Sequence, residues 1–220
     1  GQTLIAQSAT ELMTMDLAAT APTLTKRPLE LVSFHGEGEL LATGDDKGTI
    51  TLHDHTLTPV VATSVCHSSV VSVRLVPRQS LVVFACRERI AGVARYDAPS
   101  KTLTVDHTTE LEGAPMYADS DPDGRRMFVL VHPSSVLVLD LESRIKRTLR
   151  GYSARLTTIP FDDAERIVTG DADGNVRVWR WGPTAARRLV QAPRMIWGAA
   201  SAPDGQSVVT DGLEGIVRRI

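Results

Sequence analysis

Cysteine is scarce: Cys66 and Cys86 are the only two in 220 residues. Two cysteines cannot staple a disulfide scaffold, and they point to a reducing, cytoplasmic setting. Aromatic residues are sparse at 5% of the chain, so the core has to rest on aliphatic packing. No run of 18 or more apolar residues occurs, so no helix is expected to span a membrane. A secretory leader is not visible at Gly1, and the missing initiator methionine fits a cleaved product or a fragment. Neither charge sign is in excess: 24 Lys and Arg face 26 Asp and Glu, a net charge of −2. Nucleic-acid binders carry a basic surplus that this chain lacks. Also missing are a phosphate loop, a paired-glycine dinucleotide fingerprint, a Gly-x-Ser-x-Gly elbow and a His-Glu-x-x-His zinc motif. No cofactor and no catalytic residue is expected.

What the chain does have is short runs of β-formers between turn residues. Leu81–Ala85 (LVVFA), Met127–Val131 (MFVLV) and Val136–Leu139 (VLVL) are examples. β-branched residues dominate them, as in strands. Several runs end in a large residue followed by Asp: Met15-Asp16, His53-Asp54, Tyr96-Asp97 and Leu139-Asp140. Trp179-Arg180 and the terminal Ile220 hold the next two such places, giving steps of 38, 43, 43, 40 and 41. A period near 40 to 45 residues with four strands per period is that of a propeller blade. Turns recur in phase. Pro122-Asp123-Gly124, Pro203-Asp204-Gly205, Phe161-Asp162-Asp163-Ala164 and His35-Gly36-Glu37-Gly38 sit where one hairpin should turn. Before the Asp-ended strands stand TGDDKGTITLHD (Thr43–Asp54), TGDADGNVRVWR (Thr169–Arg180) and the weaker TDGLEGIVRRI (Thr210–Ile220).

These units resemble the WD-repeat family across essentially the whole chain, with Arg155–Arg180 the best match. The resemblance implies an all-β fold: a β-propeller of four-stranded antiparallel blades. Six partial or complete blades are expected, at about 1–27 (partial), 28–63, 68–107, 114–150, 154–191 and 194–220 (partial). The repeats are degenerate. Only Trp179 keeps the expected tryptophan, Cys66-His67 and Gly151-Tyr152 replace Gly-His, and Lys47 stands where Asp173 keeps the turn Asp. The family's buried His, Asp, Ser/Thr and Trp chain should therefore be incomplete in every blade, leaving apolar sheet packing as the main restraint.

The first repeat starts at its second strand and the sixth lacks its fourth, so one inner and one outer strand are unaccounted for. An upstream segment of about 20 residues would close a ring of six blades, and one of about 60 a ring of seven. Alternatively the strands come from another chain, such as the other half of a cleaved protein.

Three clusters invite a chemical reading. Asp119, Asp121, Asp123 and Gly124 open like a calcium loop, but the ninth and twelfth positions are Met127 and Leu130, so an ordinary hairpin is expected. Asp171-Ala-Asp173-Gly174 is a weaker version. His53 and His55 share a strand face, yet no third ligand is visible and His53 falls at the buried Trp position, so a core histidine and no metal is expected. The register gathers Cys66, His67 and Cys86 on one face, where a Cys–His pair or a redox pair is conceivable. No orienting Asn or Asp accompanies them, so rim-filling small residues are expected.

In WD-repeat proteins the loops before the inner strands form the usual docking face. Carried onto this chain, that face holds Arg87, Arg89, His132, Tyr152, Arg155, Arg194 and Trp197, with Trp197 the one most expected to be core. Arg, Tyr and Trp are the residues enriched in binding hot spots. The expected role is a non-catalytic protein- or peptide-binding propeller, a sensor or scaffold module of a larger, bacterial-type signalling assembly. Two alternatives stand beside it: a structural piece that completes a propeller with another chain, and a propeller enzyme with a central-channel site. The second needs His or carboxylate groups on inner strands, which read LELVSF, VVSVRL, RLTTI and IWGAA and offer few.

Overall fold

The computed structural model describes residues 3–7, 11–16, 24–28, 31–121, 123–152, 154–158, 161–163, 166–180, 187–191, 195–201, 207–212 and 218–219. They belong to two compact units, Gly1–Ser120 and Asp121–Ile220. The division falls inside the repeat expected at 114–150.

The first unit opens with a three-stranded antiparallel sheet of β1 (Thr3–Gln7), β2 (Glu11–Asp16) and β3 (Leu24–Pro28). Next come two four-stranded antiparallel meanders. One contains β4 (Leu31–Glu37), β5 (Leu40–Asp45), β6 (Thr49–His53) and β7 (Pro59–Ser64). The other contains β8 (Val70–Val76), β9 (Leu81–Cys86), β10 (Ile90–Asp97) and β11 (Thr102–Glu110). A further strand, β12 (Pro115–Ser120), lies against β8 and β9.

Burial grades across each meander, and the sequence follows it. All six residues of β9 are buried, which is why its run LVVFAC is apolar without interruption. The outermost strand β11 alternates instead, with Leu103 and Thr109 buried between exposed neighbours, as a half-solvated strand should. One apolar cluster joins the two meanders: Ala42, Ile50, Leu52, Val70, Val73, Leu75, Val82, Phe84, Ala94 and Leu103 are all buried in it. Phe84 fits because Gly92 opposite has no side chain; a Cβ there would lie 2.7 Å from the ring.

Polar groups tie the meanders laterally. The Ser33 hydroxyl donates to the Val70 carbonyl at 2.8 Å, and the Leu75 amide donates to His35 Nδ1 at 3.1 Å. The Ser72 hydroxyl accepts from the Ala118 amide at 3.0 Å and donates to the Ala118 carbonyl at 3.2 Å. On the outer strands, Thr63 donates to the Leu103 carbonyl at 2.9 Å. Each bond satisfies backbone that would otherwise be stranded at a sheet boundary.

The second unit holds the meander β13 (Arg126–Val131), β14 (Ser135–Asp140) and β15 (Lys146–Leu149). Then follows a five-stranded sheet of β16 (Leu156–Thr158), β17 (Phe161–Asp163), β18 (Arg166–Asp171), β19 (Asn175–Arg180) and β20 (Arg187–Gln191). Both β16 and β17 pair with β18. A three-stranded sheet of β21 (Ile196–Ser201), β22 (Val208–Gly212) and β23 (Arg218–Arg219) completes it. Val168, Val176 and Ile196 are buried together between the last two sheets.

Two expected turns are placed differently. Phe161–Asp163 is a short strand, not a turn tip, because these residues pair with Arg166 and Ile167. Residues 35–37 continue β4, and the chain reverses only at Gly38, whose φ is +65°. Pro203-Asp204-Gly205 lies outside the described residues. The recurring Asp at strand ends has a clear task. Asp54 Oδ1 accepts from the Thr56 and Thr58 amides at 2.8 and 2.9 Å. Asp140 Oδ1 accepts from the Ser143 amide at 2.8 Å and the Glu142 amide at 3.2 Å. These bonds build the next turn. The Thr56 hydroxyl, donating at 2.6 Å, and then the Thr58 amide hold the Asp54 carboxyl below the usual carboxylate range, and the Ser143 amide does the same for Asp140.

Gly48 is the tightest point. Its φ is +88°, and a Cβ would collide with the Cys66 carbonyl; its own carbonyl accepts from the Val65 and Cys66 amides at 2.8 and 3.3 Å. Gly48→Ala is expected to lower stability by more than about 1 kcal/mol. Gly38→Ala, which meets open space, carries the backbone cost alone. Urea unfolding of both variants checks the order.

Candidate partner-binding face

In the first unit, four segments converge at the start of β8. Val70 pairs with Cys86 in the ladder, and the Arg87 amide donates to the Ser69 carbonyl at 2.9 Å. The Glu88 amide donates to the Ser68 hydroxyl and the His67 amide to Glu88 Oε1, both at 3.0 Å. Arg89 takes a left-handed φ of +66°, its amide donates to the Cys86 carbonyl, and its carbonyl accepts from Leu111. Arg87 and Arg89 are exposed on this pinned turn. A non-glycine residue held at positive φ costs about 1 kcal/mol or more, and such residues concentrate at functional turns.

Apolar groups are exposed at the heads of two inner strands of the same unit. Val32 and Met116, the second residues of β4 and β12, are 36% and 46% exposed. A register shift between Leu31 and Ser33 places a bulge at Val32, and Val70–Ser72 repeats it. Bulges re-aim a side chain at a sheet's rim. Val32 and Met116 were not among the expected face residues; the signal that would have found them is an apolar residue at the head of each inner strand.

Cys66 and Cys86 form a disulfide with Cα atoms 6.5 Å apart. The expectation of independent rim-filling residues is therefore corrected. The pairing follows from register: Cys86 opposes Val70, and the chain leading into Val70 curls back over it.

In the second unit, His132 and Arg155 are exposed, and the Arg155 carbonyl accepts from Ala172 at 2.8 Å. Tyr152 is placed otherwise than expected: it is buried. Its hydroxyl donates to Thr169 Oγ1 at 3.2 Å, its ring lies 5.4 Å from that of Trp179, and the Arg177 guanidinium sits 4.9 Å above it. Trp179 Nε1 donates to the same Thr169 oxygen at 3.1 Å. Trp197, the face residue most expected to be core, is 53% exposed, because a bulge between Ile196 and Gly198 turns it outward. Arg194 lies outside the described residues.

The inner strands of the first unit hold more polar chemistry than their sequence suggested. Arg74 pairs with Asp119 at 2.8 Å, Tyr117 donates to the same carboxylate oxygen at 3.0 Å, and Arg74 lies 5.3 Å over the Tyr117 ring. Burial, then the Arg74 charge, pushes His35 down to about 4, with Asp119 opposing. Burial and the Asp119 charge push the Tyr117 phenol up. Arg74 and Tyr117 pair through one Asp119 oxygen, although Arg74 Nε stays buried without a partner, and the groups read as a lock between strands.

Residues 143–180 match the WD40 family model, described as WD domain, G-beta repeat. No curated protein matches the chain in sequence. Among solved structures, the computationally designed Ika8 protein is similar at a TM-score of 0.80 and 15% identity, over 100% of this chain and 68% of that one. A chain of the Mitotic Checkpoint Complex is similar at 0.74 and 12%, over 95% and 67%. The chain has the all-β fold of a partial β-propeller, with four-stranded antiparallel sheets as blades, and the family match itself is confined to residues 143–180. The chain spans about two thirds of the chains it matches.

Read as blades, the sheets explain how degenerate repeats hold. In the blade of β16–β20, Tyr152, Thr169 and Trp179 form a three-membered chain with Tyr in place of His. In that of β4–β7, His53 replaces the Trp: it is 2% exposed, with Nε2 2.9 Å from Thr43 Oγ1. His55 is exposed. The turn carboxylate is not at Asp173 or its counterpart Lys47 but two residues earlier, and both blades keep it. Asp171 accepts from the Asp173 and Asn175 amides at 3.0 and 2.9 Å and pairs with Arg177 at 3.2 Å. Asp45 accepts from the Lys47 and Thr49 amides at 2.9 and 2.7 Å. Asp121 likewise accepts from Arg125 and Arg126, a hairpin duty for the calcium-like motif. Among the described residues no three His, Cys, Asp or Glu side chains are grouped to hold a metal.

His35 gives this lock a pH dependence. Its folded pKa is depressed, so the unfolded chain takes up the proton first as pH falls. Stability is therefore full above about 6.5 and declines toward pH 4. The loss is on the order of 1–2 kcal/mol after solvent screening of this part-exposed site. His35→Asn keeps an acceptor for the Leu75 amide and should flatten that slope in denaturant titrations between pH 7 and 4.

Proposed function

We propose that this propeller is a non-catalytic protein- or peptide-binding module docking through the loop face. WD40 propellers are typically protein-binding scaffolds and usually non-catalytic. The reading rests on the backbone-pinned turn that exposes Arg87 and Arg89, together with apolar side chains exposed at the heads of inner strands, Val32 and Met116. Arginine on a fixed backbone and exposed apolar side chains match the composition of interface hot spots. In the second unit Trp197, His132 and Arg155 are the exposed counterparts.

A larger assembly is part of the proposal. The terminal blades hold three described strands each, and an unpaired strand edge is a template for a further strand. A second chain, such as the other part of a cleaved protein, fits that role, and the proposal takes this chain as a sensor or scaffold arm of a bacterial-type signalling assembly. A near-neutral net charge of −2 gives no support to nucleic-acid binding, and no helix among the described residues is long and apolar enough to cross a membrane. The low cysteine content supports a cytoplasmic location, whereas a closed Cys66–Cys86 bridge favours an oxidising one.

The test is affinity capture followed by native mass spectrometry of the eluate. Arg87→Glu combined with Arg89→Glu should weaken the captured partner at least tenfold, by about 1.4 kcal/mol, while the unfolding midpoint stays unchanged. Undiminished capture by that variant would remove the docking face from consideration. A one-to-one complex with a second chain that survives the charge reversal would favour the strand-completing reading.

A further inference from the structure

We propose that Cys66 and Cys86 form a reversible dithiol–disulfide site that controls the rigidity of the turn bearing Arg87 and Arg89. Three sequence-distant segments meet at Cys66. Its carbonyl rests against Gly48, its amide and that of Val65 donate to the Gly48 carbonyl, and its sulfur is bonded to Cys86. Cys86 is the last residue of β9, directly before Arg87. The bridge therefore joins the β5–β6 turn of one blade, the crossing into the next blade, and the β9–β10 turn of that blade.

The remaining ties of the turn to this crossing are weak ones. Arg87 to Ser69, Glu88 to Ser68 and His67 to Glu88 are single hydrogen bonds near the surface, and bonds of that kind open locally at low cost. The interior of β9, by contrast, is buried on both faces. Loss of the S–S bond is thus felt at residues 66–69 and 86–89 before it is felt in the sheet.

The chemistry balances with a low-molecular-weight disulfide as oxidant. Cys66 keeps 6% exposure and Cys86 none, so Cys66 is the sulfur reached first. Its thiolate attacks the small disulfide, forming a mixed disulfide and releasing one thiol. Cys86 then loses its proton and displaces the second thiol. Two electrons and two protons pass to the small disulfide, which leaves as two thiols. The reverse path, with two reduced thiols, reopens the pair. Its consequence for partner binding rests on the docking face proposed above, whereas the redox chemistry does not.

The experiment equilibrates the folded chain at stepped ratios of reduced to oxidised glutathione, quenches with iodoacetamide and reads the mass. The expected result is two species, both cysteines bridged or both alkylated, whose proportion follows the ratio. In parallel, amide exchange at His67 and at Arg87–Arg89 should be at least tenfold faster in the reduced form, with Val82–Phe84 unchanged. A pair that stays bridged at every ratio, stays free at every ratio, or changes state without altering exchange at the turn would overturn the proposal. The Cys66→Ser, Cys86→Ser double variant should exchange at the reduced rate regardless of glutathione; if it does not fold, the native-chain titration decides alone. No partner enters these readouts, so failure of the docking reading leaves them intact.

Discussion

Face-to-face burial between neighbouring four-stranded sheets is the interaction on which the first unit depends. Phe84 is its centre, admitted by Gly92 and enclosed by side chains of two meanders. Burial alone would leave the sheets free to slide, because apolar contact is not directional. Ser33, His35 and Ser72 remove that freedom, each bonding the backbone of the next inner strand. The loops inherit the result. Arg87 and Arg89 are held in place because the strands beneath them are.

The fold was largely legible. A period of 38 to 43 residues and the Asp-ended strands placed most strands, and that Asp persists because turn amides need an acceptor whether or not the neighbouring Trp survives. Less legible was which carboxylate builds the second turn. In TGDADG and TGDDKG the eye goes to the Asp beside the glycine, but the acceptor is Asp171 or Asp45, two positions earlier. The family signature is carried by residues 143–180, where Trp179 remains, while His53 performs the corresponding contact in a form that composition does not advertise.

Exposure of the candidate loop residues was legible in part. Arg87 and Arg89 share one exposed turn, but loop position could not separate Tyr152, drawn inward by Thr169 and Trp179, from Trp197, turned outward by a bulge. Both are aromatic residues near the head of an inner strand; backbone register, which side-chain identity does not encode, decides between them. The disulfide escaped for a similar reason. A separation of 20 residues says little until the ladder sets Cys86 opposite Val70.

The lateral bonds of Ser33, Ser72, His35 and Thr63 share one property: a side chain on one strand meets the main chain of the next. A main-chain group is present whatever residue occupies the position, so each junction prescribes one amino acid and not two. At those junctions neighbouring repeats can diverge without compensating changes, whereas the Arg74–Asp119 pair between β8 and β12 still prescribes two. A lineage built this way can shed its repeat signature by gradual drift and keep its architecture.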